Sequence, residues 1–138
     1  MIIAQLISVF IGVLGFALVL EVQKKYLFYC GLAGTIGWAA FLLAQQFIPA
    51  GGVFVSSFCI ALVSQIFARK LRCPVTVFLI PGIYPSVPGA GIYRTVYYII
   101  MGENSLGGHY FLETLTTAGM IALGIYAVDI LWKLRKVN

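Results

Sequence analysis

Charged residues are scarce in this chain of 138 residues, which carries four acidic and nine basic side chains, or 9% of its length. A soluble globular domain has about a quarter of its residues charged, so that class of protein is excluded. Residues 1–20, 26–68 and 73–93 contain no charge at all, and 62% of the chain is hydrophobic. Because a spanning helix needs about 20 apolar residues, the sequence predicts an all-α integral membrane protein with a single membrane domain.

Residues that build catalytic and metal sites are equally scarce. The chain has one histidine, three cysteines without CxxC spacing, and no GK[ST] phosphate-binding loop. Gly89-Ala90-Gly91 resembles the start of a dinucleotide-binding GxGxxG, but Arg94 stands where the third glycine belongs. We therefore expect no enzyme, no metal and no cofactor. We also expect no nucleic-acid partner, because the basic residues form short clusters rather than a basic face.

Five apolar segments have the length of membrane spans. They lie at about residues 2–20, 27–47, 53–68, 75–101 and 111–132, with a polar loop predicted over 102–110. The second segment contains GLAGTIGWAA, in which Gly31, Gly34 and Gly37 are three residues apart. Small residues at such spacing let helices approach closely in lipid. They predict helix packing rather than a substrate role, and self-association of the chain through the Gly31–Gly37 face is a further hypothesis.

The basic residues predict how the chain is oriented. All but one of the nine lysines and arginines fall in three clusters, which follow the first, third and fifth segments. The clusters are Lys24 and Lys25; Arg69, Lys70 and Arg72; and Lys133, Arg135 and Lys136. If all five segments cross, the clusters lie on one side, which the positive-inside rule makes the cytoplasm. The prediction is a multi-pass protein of the cell inner or plasma membrane, with its N-terminus outside and its C-terminus cytoplasmic.

The fourth segment interrupts its own helix. Residues 78–98 read FLIPGIYPSVPGAGIYRTVYY, with three prolines and three glycines close together. Proline lacks an N–H and disfavours helix at the preceding residue, whereas glycine permits unusual dihedrals. We predict a half-helix to about residue 80, an irregular stretch over 81–89, and a second half-helix from about residue 90. The residues that define the break are Pro81, Gly82, Pro85 and Pro88.

Irregular backbone inside a bilayer is tolerated only where it is buried in protein or lines a water-filled cavity. Secondary transporters build substrate sites at discontinuous helices, so the break predicts a site, and a packing kink is the alternative. Arg94 follows the break, and its guanidinium can hold a carboxylate through two parallel hydrogen bonds. Snorkelling of Arg94 toward the interface is the alternative there. The predicted substrate-binding residues are Arg94, Gly89, Ala90, Gly91, Tyr84, Tyr97 and Tyr98.

Polar side chains elsewhere in the spans are few. Ser56, Ser57, Ser64 and Gln65 on the third segment could line a path, but interhelical hydrogen bonds are the commoner use of such residues. Asp129 lies four residues before Lys133, which predicts an ordinary helix ion pair, with a proton-coupling role as the alternative.

The stretch PGIYPSVPGAGIYRTVYY, together with the five-span frame, resembles the C-terminal membrane half of the threonine/serine exporter family. Some members of that family are long single chains, and others are split into a larger and a smaller membrane protein. This chain resembles the smaller one. The resemblance implies export of small hydroxy amino acids, or of a small carboxylate such as succinate in split members, together with a larger membrane subunit.

Three functions follow as hypotheses. The first is a subunit of a secondary exporter for a small carboxylate-bearing metabolite, with its substrate site at the break. The second is a non-transporting scaffold or assembly subunit, and the third is a small channel. The expected partners are the lipid bilayer, a second and larger membrane subunit of the same family, the carboxylate substrate, and further copies of this chain in a homo-oligomer.

Overall fold

A computed structural model describes residues 1–137 as helices joined by short turns. The α-helices are α1 (Ile2–Val19), α2 (Lys24–Phe47), α3 (Gly52–Leu71), α4 (Thr76–Ile83), α5 (Gly89–Ile100) and α6 (Asn104–Val137), and a 3₁₀ turn, Tyr84–Ser86, follows α4. Four of them, α1, α2, α3 and α6, are long and apolar enough to cross a membrane, and α4 with its 3₁₀ turn is a shorter apolar helix. The prediction of an all-α membrane protein of about five spans, with the fourth broken, is confirmed.

Helix α2 lies at the centre of a bundle in which it packs against α1, α3 and α4. Helix α3 also packs against α6, whereas α5 packs principally against α6. Large side chains of α1 such as Ile3, Ile7 and Ile11 are exposed in the chain by itself. Lipid tails can cover such side chains, so a membrane bundle needs only a small protein core.

The three spaced glycines of α2 are where neighbouring helices come closest. A Cβ on Gly31 would lie 2.6 Å from the Phe10 ring, and one on Gly34 would lie 2.6 Å from Val13. A Cβ on Gly37 would collide with the Ile60 side chain of α3. The glycine face is therefore occupied by α1 and α3 of the same chain, as helix packing predicts, and self-association through it stays a hypothesis.

The three basic clusters lie at one end of the bundle, which we call the basic end. Helices α3 and α6 run parallel, since Ser57 faces Gly124 near the start of their contact and the Arg69 guanidinium lies 4.6 Å from the Trp132 ring near its end. Helix α4 starts at the basic end, where Phe78 is fully buried and meets Tyr26 edge-to-face at 5.7 Å.

Helix α4 continues through Pro81, although the sequence predicted an irregular backbone from that residue onward. Proline removes the N–H that would bond the carbonyl four residues earlier, here that of Val77. The buried thiol of Cys30 donates to that carbonyl instead, at 3.3 Å. Because a neighbouring helix supplies the missing donor, the helix persists to Ile83.

Helix α6 begins at Asn104, so the loop predicted over 102–110 is helical in all but its first residues. Gly107 allows this because its bare Cα faces the Ile99 side chain, where a Cβ would lie 2.8 Å away. The 34 residues of α6 extend about 51 Å, which exceeds the hydrocarbon core of about 30 Å. Its first half pairs with α5 and its second half pairs with α3.

Candidate functional site

The end of α4, just before the interruption of the fourth segment, lies inside the helical bundle. Pro81 and Gly82 are buried, and a Cβ on Gly82 would lie 2.9 Å from Ile60 and 3.6 Å from Ala33. Glycine therefore lets α4 approach α2 and α3 closely. At the end of the 3₁₀ turn, the hydroxyl of Ser86 lies 3.3 Å from the hydroxyl of Ser56 on α3. Polar groups thus meet where the α-helix stops.

The backbone between α4 and α5 forms a short turn. Val87 is extended, with φ −65° and ψ 128°. Its N–H donates to the Tyr84 carbonyl at 3.3 Å, and the Gly89 N–H donates to the Val87 carbonyl at 2.8 Å. Helix α5 then starts at Gly89, directly after Pro88. The non-α backbone is therefore confined to residues 84–88, fewer than the predicted 81–89.

Tyr84 packs on α1. Its ring stacks on Phe16 with centroids 4.3 Å apart, and with Pro85 it lines a small cavity of about 220 Å³ against the Ser8–Val13 part of α1. This position separates Tyr84 from the other predicted substrate residues, which lie on α5.

Arg94, Tyr97 and Tyr98 do lie together, at the α5–α6 contact. The Arg94 guanidinium lies 5.5 Å from the Tyr110 ring, and Tyr98 stacks on the same ring at 5.4 Å. Tyr97 meets Tyr98 edge-to-face at 5.3 Å and stacks on Tyr93 at 6.0 Å. Arg94 is exposed in the single chain, so one face of its guanidinium rests on an aromatic ring and the remainder is open.

The predicted glycine backbone leads into the same helix. Gly89 and Ala90 are exposed, and a Cβ on Gly91 would collide with the Thr114 hydroxyl of α6. The Gly91 carbonyl accepts a hydrogen bond from Thr95 at 2.8 Å. Gly91 thus allows the start of α5 to pack closely against α6.

Arg94 lies far from the basic end. Its ring partner Tyr110 is separated from Trp132 by about 33 Å along α6, a distance similar to the hydrocarbon thickness. Trp132 itself lies beside Arg69 of the basic cluster. If α6 is close to upright, Arg94 lies near the opposite membrane boundary.

Asp129 has a partner other than the Lys133 that the sequence predicted. Its Oδ1 accepts a hydrogen bond from Gln65 Nε2 at 3.0 Å, which joins α6 to α3. Gln65 therefore makes the interhelical bond that was the commoner expectation for polar residues in this span. Ser64, by contrast, is fully buried and its hydroxyl has no hydrogen-bond partner within residues 1–137.

Several residues of the site were not predicted. Tyr110 was assigned to a loop, and only its helical placement against α5 brings it to Arg94. Ser86 lies inside the broken motif, but its bond to Ser56 depends on how α4 packs on α3. In the part of the chain that the structure describes, no group of His, Cys, Asp or Glu could hold a metal ion.

Comparison with known proteins agrees with this architecture. Residues 5–131 match the family model described as "Threonine/Serine exporter, ThrE". A curated relative, the "Threonine/serine exporter" of Corynebacterium glutamicum, is 24% identical over 123 residues. That alignment covers 88% of this chain but 25% of the relative, so the chain spans about a quarter of the relative's length. No solved structure matches the chain.

An exporter family is not a family of enzymes, and the prediction of a non-enzymatic membrane protein is confirmed. The match extends over nearly all five apolar segments and includes the whole broken fourth segment. On this basis the chain belongs to the threonine/serine exporter family.

Proposed function

We propose that the chain is a subunit of a secondary exporter for a small carboxylate-bearing metabolite, and that it acts with a second, larger membrane subunit. Membership of the family supports export, and the name of the relative supports a small hydroxy amino acid as substrate. The matched region is a quarter of that relative, which supports a partner that supplies the remainder. A dicarboxylate such as succinate is the other substrate considered.

The observation that carries the proposal is the interruption of the fourth segment, which directly follows the buried end of α4. The turn over residues 84–88 contains Ser86, whose hydroxyl lies 3.3 Å from the hydroxyl of Ser56. A simple kink would need only Pro81, which α4 already accommodates through Cys30. The additional Pro85 and Pro88 break the helix further on, where irregular backbone must be buried or face water.

In this proposal Arg94 holds the substrate carboxylate at the end of the path opposite the basic end. Arg94 lies on α5 beside exposed side chains such as Tyr93 and Val96, and α5 packs principally against α6. The open side of its guanidinium and the exposed face of α5 therefore favour a protein neighbour. We propose that the larger subunit covers this face and completes the site around Arg94, Tyr97 and Tyr98.

The orientation proposed from the basic clusters makes the basic end cytoplasmic and the N-terminus external. Substrate would then enter at the basic end, pass the break and leave past Arg94.

Reconstitution tests this function directly. Proteoliposomes that contain this chain, the larger subunit, or both are loaded with radiolabelled L-serine or succinate, and efflux is followed. Efflux that needs both chains and saturates with substrate supports the proposal. Equal efflux without this chain identifies it as dispensable for transport and favours the scaffold hypothesis, whereas non-saturating flux favours a channel.

A further inference from the structure

A second polar feature lies at the basic end, away from Arg94. A cavity of about 560 Å³ opens between the α1–α2 turn and the α3–α4 turn. Its lining includes Tyr26 and Thr76 and extends inward along α4 to Pro81. The cavity thus extends from the basic end along the part of α4 that precedes the break.

Two opposite charges line this cavity, one from each turn. Glu21 comes from the α1–α2 turn, and Arg72 comes from the α3–α4 turn. Both side chains are exposed, so both can reach a molecule in the cavity. The sequence predicted only that Arg72 orients the protein, which does not explain why Arg72 and Glu21 line one cavity.

The backbone makes these two residue types unexpected. Glu21 and Arg72 have φ values of 56° and 53°, and within residues 1–137 no other non-glycine residue has a positive φ. Each follows a helix whose end is closed by a bond typical of the left-handed cap: the Val22 N–H to the Ala17 carbonyl, and the Cys73 N–H to the Ala68 carbonyl. Glycine is favoured at such a position because it has no Cβ to clash. A glutamate and an arginine stand at the two sites instead.

We propose that this cavity is the site at which a small zwitterion first binds, with its carboxylate on Arg72 and its ammonium group on Glu21. The planar guanidinium can hold a carboxylate through two hydrogen bonds, and Glu21 attracts an amine while it repels a second carboxylate. The pair therefore selects an amino acid over a dicarboxylate. This inference rests on the proposed export function only in treating the bound molecule as the substrate.

Cys73 lines the same cavity and is a free, partly buried thiol, so it can report binding directly. The purified chain in lipid nanodiscs is treated with N-ethylmaleimide, and alkylation of Cys73 is followed by mass spectrometry of the intact protein. Cys73→Ser provides the background from Cys30 and Cys59. L-serine should slow alkylation saturably, by about tenfold when its concentration is about ten times the Kd. Succinate and ethanolamine, which each lack one of the two charged groups, should protect weakly or not at all.

Two substitutions remove the charges without straining the backbone. Glu21→Gly and Arg72→Gly place glycine where φ is positive, so helix content and thermal midpoint should be maintained or raised. Protection by L-serine is measured in each variant as the ratio of the Cys73 alkylation rates with and without ligand. This protection should be lost in both variants. Lys70→Ala is the matched control, because it removes an exposed positive charge from the same end of α3 at a residue that does not line the cavity.

The outcomes separate this inference from the proposed function. Native-like protection in Glu21→Gly or Arg72→Gly would overturn the inference, as would equal protection of the native chain by succinate or no protection by L-serine. Arg94→Gln should retain protection of Cys73 even where export is lost, because Arg94 lies at the other end of the path. If Arg94→Gln abolishes protection of Cys73, the two positions are not separate sites and the inference is wrong.

Discussion

The thiol of Cys30 on α2 donates a hydrogen bond to the carbonyl oxygen of Val77 on α4, at 3.3 Å. This carbonyl is the acceptor that Pro81 leaves without a donor within its own helix. A cysteine inside an apolar span usually acts as a small hydrophobic residue, and the sequence suggested no more than that. In the fold it allows α4 to continue through Pro81 as far as Ile83, directly before the break.

Removal of this donor should destabilise the bundle at α4. Cys30→Ala leaves the Val77 carbonyl with no donor from α2 and should lower stability by about 1 kcal/mol, whereas Cys30→Ser retains a donor and should lose less. Thermal unfolding in detergent, followed by circular dichroism, measures the difference. Cys59→Ala on α3 is the matched control, since Cys59 is a free thiol on a different helix. If Cys30→Ala and Cys30→Ser unfold at the same temperature, the hydrogen bond contributes nothing.

Arg94→Lys should reduce export strongly while membrane insertion is unchanged. Lysine retains the charge but loses the planar fork, and the loss of one charge-assisted hydrogen bond would slow export by about tenfold or more. Efflux from proteoliposomes that contain both subunits measures the effect. Arg135→Lys is the matched control, because Arg135 also lies beside an aromatic ring, at 5.7 Å from Trp132, but belongs to the basic end. Native rates and substrate affinity in both Arg94→Lys and Arg94→Gln would exclude the carboxylate role.

The orientation of the chain can be tested with cysteines at its two ends. Ser105 is exposed at the start of α6, opposite the basic end. Ser105→Cys, made in a Cys73→Ser background, should react with an impermeant thiol reagent added outside intact cells. Native Cys73 should react only after the membrane is opened. Labelling of Cys73 from outside would reverse the proposed orientation.

Gly34→Leu should destabilise the fold of the chain itself. Even a Cβ at this position would lie 2.6 Å from Val13, so a leucine must push α1 away from α2, at a cost of about 1–3 kcal/mol. Thermal unfolding and protease sensitivity of the purified chain measure this cost. Gly15→Leu on α1 is the control, because no atom lies within 4 Å of a Cβ built there. Equal stability of the two variants would mean that α1 does not pack on Gly34.

Local sequence was enough for the class of protein and for the broken segment. Uncharged runs of span length have no stable place in water, so the membrane bundle follows from composition. Pro85 and Pro88 restrict their own backbone and that of their neighbours, so a break at this point follows from local sequence. The glycines of α2 likewise predicted close helix contacts before any partner helix was known.

Tertiary structure decided everything that depends on a neighbouring helix. Pro81 stays helical because Cys30 lies across from it, and residues 104–110 are helical because Gly107 lets α6 pack on Ile99. Tyr84 and Arg94 share one motif in the sequence, yet the turn between them directs the first to α1 and the second to α6. Glu21 and Arg72 are far apart along the chain. They line one cavity only because the α1–α2 turn and the α3–α4 turn lie side by side. Periodicity and propensity describe a residue and its near neighbours in sequence, whereas these relationships join residues that only the packed bundle brings together.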